Sequence, residues 1–311
     1  MFLDPVARRV ALVIVAVLVA EAVLLLVPMR LAINGHEVDA LHAVSAAIRL
    51  AGGEVQHIDF LTPLGVLTFQ PVALFLRAGF GPGLSFLLAH LLVAVLMAPA
   101  LWYVASSRLQ MVSGPVFAAI TLIMVTALVY GGDQSTVSVS MFYNRWAWAI
   151  TFLVVTIVML PAQVKRPRAD GVVLGLGLGV LALLKATYFV ALAPVVAVWM
   201  LMNRDWIAGS VAGAAGLAVA VLATLAFGGI DFWAAYVADM RAVAASDVRP
   251  APGEGLGDLL AAPEFFAGTA CLLAGIVGLR RGGLVRRDPA PRAALVHGPR
   301  PGARRGAGPA R

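Results

Sequence analysis

Residues 10–29 read VALVIVAVLVAEAVLLLVPM, and Glu21 is the only charged side chain in the run. A helix of this length crosses a hydrocarbon core of about 30 Å. The run exceeds the roughly 7–15 apolar residues of a signal peptide and lacks a small-residue cleavage site, so we expect it to be retained. Similar runs recur along the 311 residues, of which 61% are hydrophobic and 13% charged. Soluble domains have roughly 25% charged residues, so the sequence predicts an all-α, polytopic membrane protein.

Apolar runs of suitable length predict about eight transmembrane helices. These runs lie at residues 10–31, 83–104, 111–131, 146–162, 171–186, 188–202, 206–228 and 264–279. Another apolar stretch, 61–78, is interrupted by Pro63 and Pro71, and we expect it to lie along the outer membrane surface without crossing. The run from 171 to 202 contains no polar loop, so it is either a tight hairpin that turns near Lys185 or one long tilted helix.

The charges of the loops orient these helices. Arg8 and Arg9 place the N-terminus in the cytoplasm by the positive-inside rule, and the basic loop 165–168 is also cytoplasmic if 61–78 does not cross. The outer face then carries residues 32–82, 132–145 and 229–263. Many of the acidic and hydrogen-bonding side chains fall in these three regions. We therefore expect a multi-pass protein of the inner (cell) membrane with its functional site on the outer side.

The net charge of +7 comes from the end of the chain. Residues 280–311 contain nine arginines and one aspartate, so the rest is close to neutral and offers no basic surface for nucleic acid. We expect residues 1–280 to form one membrane domain with an outer loop at 32–82. Residues 281–311, rich in Arg, Pro, Gly and Ala, should form a disordered basic tail. This tail either binds anionic headgroups or is the frame-shifted end of a truncated gene.

The first outer loop has the most polar segment, GGEVQHIDFLTPLG, at residues 52–65. Helical spacing before it predicts a helix from Asp39 to Leu50 that ends at the following glycine pair. Glu37 and Asp39 then stand at the start of this helix. A carboxylate there can serve as a general base or bind a divalent cation that bridges a phosphate. The structural alternative is that these side chains, and Asp59 after the turn, only cap helices.

The order of features over residues 8–110 is distinctive. An N-terminal span precedes a loop with early acidic residues, an A…RL..G…..DF….P pattern, a semi-apolar segment and a span that ends in arginine. The residues concerned are Glu37, Asp39, Ala46, Ala47, Arg49, Leu50, Gly53, Asp59, Phe60, Pro63 and Pro71. This order resembles membrane glycosyltransferases of the GT-C class, which include the protein O-mannosyltransferases and the aminoarabinose transferase for lipid A. Members of that class usually have more spans and often a soluble C-terminal domain.

The resemblance implies an activity. Enzymes of this class take a sugar from a polyprenyl-phosphate carrier and pass it to an acceptor on the outer face. An acidic residue of the first outer loop acts as catalytic base or metal ligand. For this chain it implies that Asp39 is the base, with Glu37 as the alternative, and that His57 and Asp59 contribute to substrate binding. The cofactor stays open, with a divalent cation as the candidate.

Two further motifs carry charges near the predicted outer face. Tyr143, Asn144 and Arg145 lie at the start of one span, where they form either an aromatic interface belt or a site for the carrier phosphate. Lys185 interrupts an apolar run, and an intramembrane charge is a functional candidate by default. It either contacts a phosphate oxygen or extends to the lipid headgroups.

The last outer loop offers a further pattern. Trp233, Tyr236 and Asp239 follow helical spacing, which suits sugar binding through ring stacking but equally suits anchoring at the membrane interface. Three functions stay open at this point. The chain is a glycosyltransferase that acts with a polyprenyl-phosphate-linked sugar in the lipid bilayer, a transporter or flippase for a lipid or polyol, or an inactive truncated copy.

Overall fold

The computed structural model describes residues 4–27, 37–128, 139 and 141–245. Within these ranges the regular secondary structure is helical, apart from an isolated β-bridge between Gln56 and Phe60. The helices are α1 Pro5–Leu26, α2 Glu37–Ala51, α3 Gln70–Arg77, α4 Pro82–Arg108, α5 Ser113–Thr126, α6 Phe142–Met159, α7 Pro167–Leu184, α8 Ala186–Asn203, α9 Trp206–Ala226 and α10 Ile230–Ala244, with a 3-10 helix at Val66–Thr68. The prediction of an all-α protein is confirmed. The predicted span 264–279 and the tail 281–311 lie outside the described residues.

Helices α1, α4, α6, α7, α8 and α9 are long and apolar enough to cross a membrane. They coincide with predicted spans, which makes the chain a multi-pass membrane protein. Helix α5 falls within the predicted span 111–131 but has only 14 residues. Helix α3, in the stretch predicted not to cross, has eight residues and is about 12 Å long. It is therefore much too short to cross a hydrocarbon core of about 30 Å.

The described helices define two ends of a bundle. At the arginine end, Trp102 Nε1 donates to the carbonyl of Ala7 at 2.9 Å, and Arg108 pairs with Asp170 at 2.6 Å. These contacts join the start of α1, the end of α4 and the start of α7. The loop end contains residues 52–69, the start of α6, Lys185 and α10, which the contacts described below connect to one another.

Helices α7 and α9 run parallel in close contact. A Cβ atom added to Gly171 would lie 2.5 Å from the carbonyl oxygen of Ala208, and one added to Gly175 would lie 2.2 Å from that of Ala212. Only glycine permits backbones to approach so closely, as small residues do between membrane helices. Because α7 and α9 are parallel, α8, which connects them in the sequence, must run in the opposite direction. The hairpin alternative for residues 171–202 is therefore correct, and its turn is the single extended residue Lys185.

Helix α2 has three faces. Its buried face consists of Ala40, Ala43, Ala46, Ala47 and Leu50. The polar side chains of Asp39, His42 and Ser45 lie on an exposed face. The remaining apolar residues Val38, Leu41 and Ile48 are also exposed. The helix thus begins two residues before the predicted start and keeps its polar stripe exposed at the surface.

Candidate functional site

The polar segment 52–65 folds as a compact turn. The Asp59 carboxylate accepts a hydrogen bond from the Val55 amide at 2.6 Å. Arg49 donates to the Glu54 carboxylate at 2.6 Å and to the Asp59 carbonyl at 3.1 Å. The guanidinium of Arg49 also lies 4.4 Å from the centre of the Phe60 ring. In this arrangement the Asp59 carboxylate stabilises its own turn and does not cap a following helix.

His57 is buried in the middle of this segment. Its Nδ1 lies 2.7 Å from the Asp239 carboxylate, and its Nε2 lies 3.2 Å from the Gln56 amide nitrogen. The same amide nitrogen donates to the Leu64 carbonyl at 2.6 Å, which identifies it as the N–H₂ group. His57 Nε2 must then accept, so Nδ1 carries the proton and donates to Asp239. Burial lowers the pKa of His57 below its ordinary value, against the opposing effect of Asp239, and this favours the neutral ring.

Helix α10 supplies the partners of His57. Asp239 also accepts from the Thr62 amide at 3.4 Å. Tyr236, one turn earlier, places its ring 4.7 Å from the His57 ring and donates its hydroxyl to the Ala182 carbonyl at 2.7 Å. Burial raises the pKa of Tyr236 to about 12, so the hydroxyl keeps the proton that it donates. The helical spacing of Tyr236 and Asp239 was visible in the sequence, but their partner His57 was not, because 182 residues separate it from Asp239.

Lys185 joins two of the predicted substrate-binding residues. Its Nζ donates to Asn144 Oδ1 at 2.7 Å and lies 5.1 Å from the centre of the Tyr143 ring. The centre of the Tyr188 ring lies 5.8 Å from the same Nζ atom. Cation–π contacts of this kind stabilise an ammonium group that has lost part of its water. The structure therefore brings Tyr143, Asn144 and Lys185 together at the loop end.

Arg145 follows Asn144 in the first turn of α6, but its side chain points in a different direction from that of Asn144. Successive helical side chains are about 100° apart, and the Nε and Nη2 atoms of Arg145 are buried. Asp39 lies in the first turn of α2 with an exposed side chain, where a negative charge stabilises the helix. Glu37 is the first residue of α2, and its side chain is outside the described part of the chain.

The described residues contain no cluster of three or more His, Cys, Asp or Glu side chains that could hold a metal ion. The divalent cation considered from the sequence therefore has no such donor set in this part of the chain.

A long apolar groove of about 710 Å³ lies between α4, α6 and α7. Its loop-end mouth is lined by Leu67, Pro71 and Leu184, and its other end by Tyr103 and Ala169. Tyr103 is the only lining residue with a hydroxyl, amide or charged group, and its hydroxyl donates to Asp170 at 2.6 Å. Lys185 directly follows Leu184 in the chain, although neither Lys185 nor Asn144 is itself a lining residue.

Comparisons of the chain with protein-family models, curated proteins and solved structures found no match. What the site can do must therefore be argued from the groove, the lysine at its mouth and the polar segment beside it.

Proposed function

We propose that the protein is a membrane glycosyltransferase that moves a sugar from a polyprenyl-phosphate-linked donor to an acceptor on the outer face of the membrane. The observation that carries this proposal is that the apolar groove reaches Leu184 at the loop end, and that the next residue in the chain is the cation Lys185. A polyprenyl phosphate matches these two features, because its long apolar chain suits the groove and its anionic phosphate suits the lysine. Under this proposal the loop end faces outward and the arginine end lies in the cytoplasm, as the positive-inside rule favours.

Lys185 suits the role of phosphate ligand. Its ammonium group donates to Asn144 and lies close to the centres of two tyrosine rings, 5.1 Å from Tyr143 and 5.8 Å from Tyr188. An ammonium group supplies up to three donors, and hydrogen bonds between charged partners are about twice as strong as neutral ones. A lipid whose chain lies in the groove would bring its phosphate to the C-terminal end of α7, where Lys185 separates α7 from α8. Arg145, whose Nε and Nη2 atoms are buried, is a less direct candidate for the same phosphate.

The transfer step requires a base and a stabilised leaving group. The acceptor oxygen would form a bond to the anomeric carbon of the sugar while the bond from that carbon to the phosphate oxygen breaks. The acceptor proton would pass to a carboxylate, for which Asp39 is the first candidate and Glu37 the second. The released lipid phosphate would be stabilised by Lys185. These roles follow the resemblance and agree with the exposure of Asp39 at the surface.

A transporter or flippase is the second candidate, because the groove extends along much of the depth of the bundle. Passage of a polar headgroup or a polyol would need polar side chains along the path. The groove offers apolar walls between Leu184 and Tyr103. It therefore suits a bound chain better than a moving headgroup. A truncated, inactive copy would bind the lipid without transferring the sugar.

The decisive experiment compares polyprenyl phosphate with the uncharged polyprenol for binding to the protein in nanodiscs. We expect the wild type to prefer the phosphate, and Lys185→Gln to lose about 10-fold or more of that preference, since charged hydrogen bonds contribute about 1.5–3 kcal/mol. Lys165→Gln is a matched control, because Lys165 is the other lysine of the chain and is exposed. Equal binding of the two lipids to the wild type would refute a phosphate site.

The transfer itself is tested by complementation of a surface glycan in a host that lacks the gene. Wild type and Asp39→Asn are compared at equal membrane levels, with Asp231→Asn as control because Asp231 is also an exposed acid in the first turn of a helix. We expect only Asp39→Asn to fail. Restoration by both variants would remove Asp39 as the base, and failure of the wild type would support the inactive copy.

A further inference from the structure

The C-terminal end of α7 is stabilised by groups from outside the helix. A helix leaves its last carbonyl oxygens without partners within the helix. Here the Leu184 carbonyl accepts from the Gly65 amide at 3.1 Å and from the Thr68 hydroxyl at 3.0 Å. The Ala182 carbonyl accepts from Tyr236. The position of the next residue, Lys185, thus depends on the segment around Gly65 and on α10.

The contact at Gly65 is very close. A Cβ atom at this position would lie 2.0 Å from the carbonyl oxygen of Leu183. No larger residue fits without moving the backbone, so the segment and the end of α7 touch backbone to backbone. A small displacement of the segment would therefore be transmitted directly to the turn at Lys185.

Continuous hydrogen bonds hold the segment in place. Asp239 accepts from His57, His57 accepts from Gln56, and Gln56 donates to the carbonyl of Leu64, the residue before Gly65. The path leads from α10 through the buried segment to Gly65 and then to Leu184. Every link joins two buried or nearly buried groups, because Gln56 is 0% and Asp239 only 8% exposed.

Two features of this hydrogen-bonded path are energetically unfavourable, and packing of the segment would not by itself require them. His57 has a φ angle of +71°, which is uncommon for residues other than glycine. Such a backbone conformation is strained, so the contacts around His57 must compensate for the strain energy. The Oε1 atom of Gln56 is buried without a hydrogen-bond partner in the described part of the chain. Strain and unsatisfied polar groups concentrate where a side chain or segment must be held in one position.

We propose that His57 and Asp239 are positioning residues that hold segment 55–68 against the end of α7 and so fix Lys185 at the mouth of the groove. They act on Lys185 through Gln56, Gly65 and Leu184, and neither needs to contact the lipid. The value of that position for catalysis rests on the proposed function, in which Lys185 binds the carrier phosphate. The position itself can be measured without any lipid.

The two lysines of the chain provide the measurement. An amine-reactive ester modifies each lysine at a rate set by its exposure and hydrogen bonding, and mass spectrometry of the peptides gives the rate ratio of Lys185 to Lys165. Lys165 is exposed at the arginine end and serves as internal reference. In Asp239→Ala we expect the ratio to rise about fivefold or more. In Asp239→Asn it should stay near the wild-type value, because the amide oxygen can still accept from His57.

Two further variants keep the test decisive. Asp231→Ala removes an exposed acid of the same helix and should leave the ratio unchanged. If Asp239→Ala does not fold, Tyr236→Phe removes only the hydroxyl that reaches Ala182, and we expect a rise of about twofold or more. An unchanged ratio in the folded Asp239→Ala protein, or in Tyr236→Phe where Asp239→Ala does not fold, would overturn the inference. So would an equal rise in Asp231→Ala.

Lipid binding separates this inference from the proposed function. If Lys185 binds the carrier phosphate, Asp239→Ala should lose the preference for polyprenyl phosphate over polyprenol as Lys185→Gln does. If the wild type shows no such preference, the proposed function fails, and the rate ratio still decides whether His57 and Asp239 position Lys185.

Discussion

The arginine end and the loop end of the bundle both bury charged groups, but they do so differently. At the arginine end Arg108 and Asp170 form a direct ion pair whose side chains are 2% and 9% exposed. At the loop end a histidine, a glutamine and an aspartate form a longer path, and Lys185 donates a hydrogen bond to the Asn144 amide. The first arrangement joins two membrane helices, α4 and α7. The second joins α10 to the polar segment 52–65, which contacts the end of α7 just before Lys185.

The largest effect is expected at the arginine end. Asp170→Ala leaves Arg108 buried without its acid and should destabilise the protein by about 3–5 kcal/mol. Denaturant unfolding in detergent measures this loss, with Asp231→Ala as the exposed control. The Lys185 to Lys165 rate ratio should not change while the protein is folded. A loss as small as that of the control would contradict the stabilising role of the pair.

The second effect concerns the packing of α7 between the two ends. Gly175→Ala places a methyl group against the Ala212 carbonyl and should cost about 1–3 kcal/mol because the helices must separate. Gly213→Ala on α9 is the matched control, since a Cβ there would meet no atom within 4 Å. It should be neutral or stabilise by up to about 1 kcal/mol. Equal effects of the two variants would mean that the close approach is not needed.

The third effect is a pH dependence at the loop end. Burial lowers the pKa of His57 in the folded protein. At pH values between the folded and the unfolded pKa, the unfolded chain therefore binds more protons than the folded protein. The contribution to stability is therefore complete above about pH 6.5, the ordinary histidine value, and is lost as the pH falls from there toward the folded pKa. Unfolding at a series of pH values should show a smaller slope for His57→Asn than for the wild type.

The smallest expected effect on stability concerns Asp39. It tests whether this residue contributes more to stability than an acidic residue in the first turn of a helix usually does. Asp39→Asn and Asp231→Asn should each cost about 0.3–1 kcal/mol, the usual contribution of an acid in the first turn. Thermal unfolding measures both. A much larger loss for Asp39→Asn would show a structural role, and its failure in the glycan assay would then not identify a base.

The sequence predicted those features that depend on local composition. Apolar runs located the spans, the glycine pair at 52–53 ended α2, and the missing polar loop near Lys185 left only two alternatives, of which the hairpin is correct. The parallel contact of α7 and α9 resolves that choice, and a single sequence does not reveal it. Predicted boundaries differ from the observed ones mainly where helices extend beyond their apolar core, as α4 does to Arg108.

The contacts of the site were less predictable, because each joins residues far apart in the chain. His57 and Asp239 both fell on the predicted outer face, but spacing could not pair them. In the sequence Arg108 was only the arginine that ends a span, and its partner Asp170 is 62 residues away. Asp59 was predicted as a substrate-binding residue or a cap, and the hydrogen bond from Val55 shows that it stabilises a turn. The roles of Asp39, Glu37 and Arg145 in substrate chemistry stay predictions.

The parallel contact of α7 and α9 also has a consequence for biosynthesis. The glycines of α7 face a partner that is synthesised only after α8 has been made, and α8 itself buries a single residue, Val196, in the described bundle. During synthesis, α7 and α8 must therefore enter the membrane as a loosely packed pair, with the glycine face of α7 against lipid. That pair becomes fixed only when residues 206–226 arrive. A ribosome that stalls before this point would hold an intermediate that other membrane helices with small residues can join.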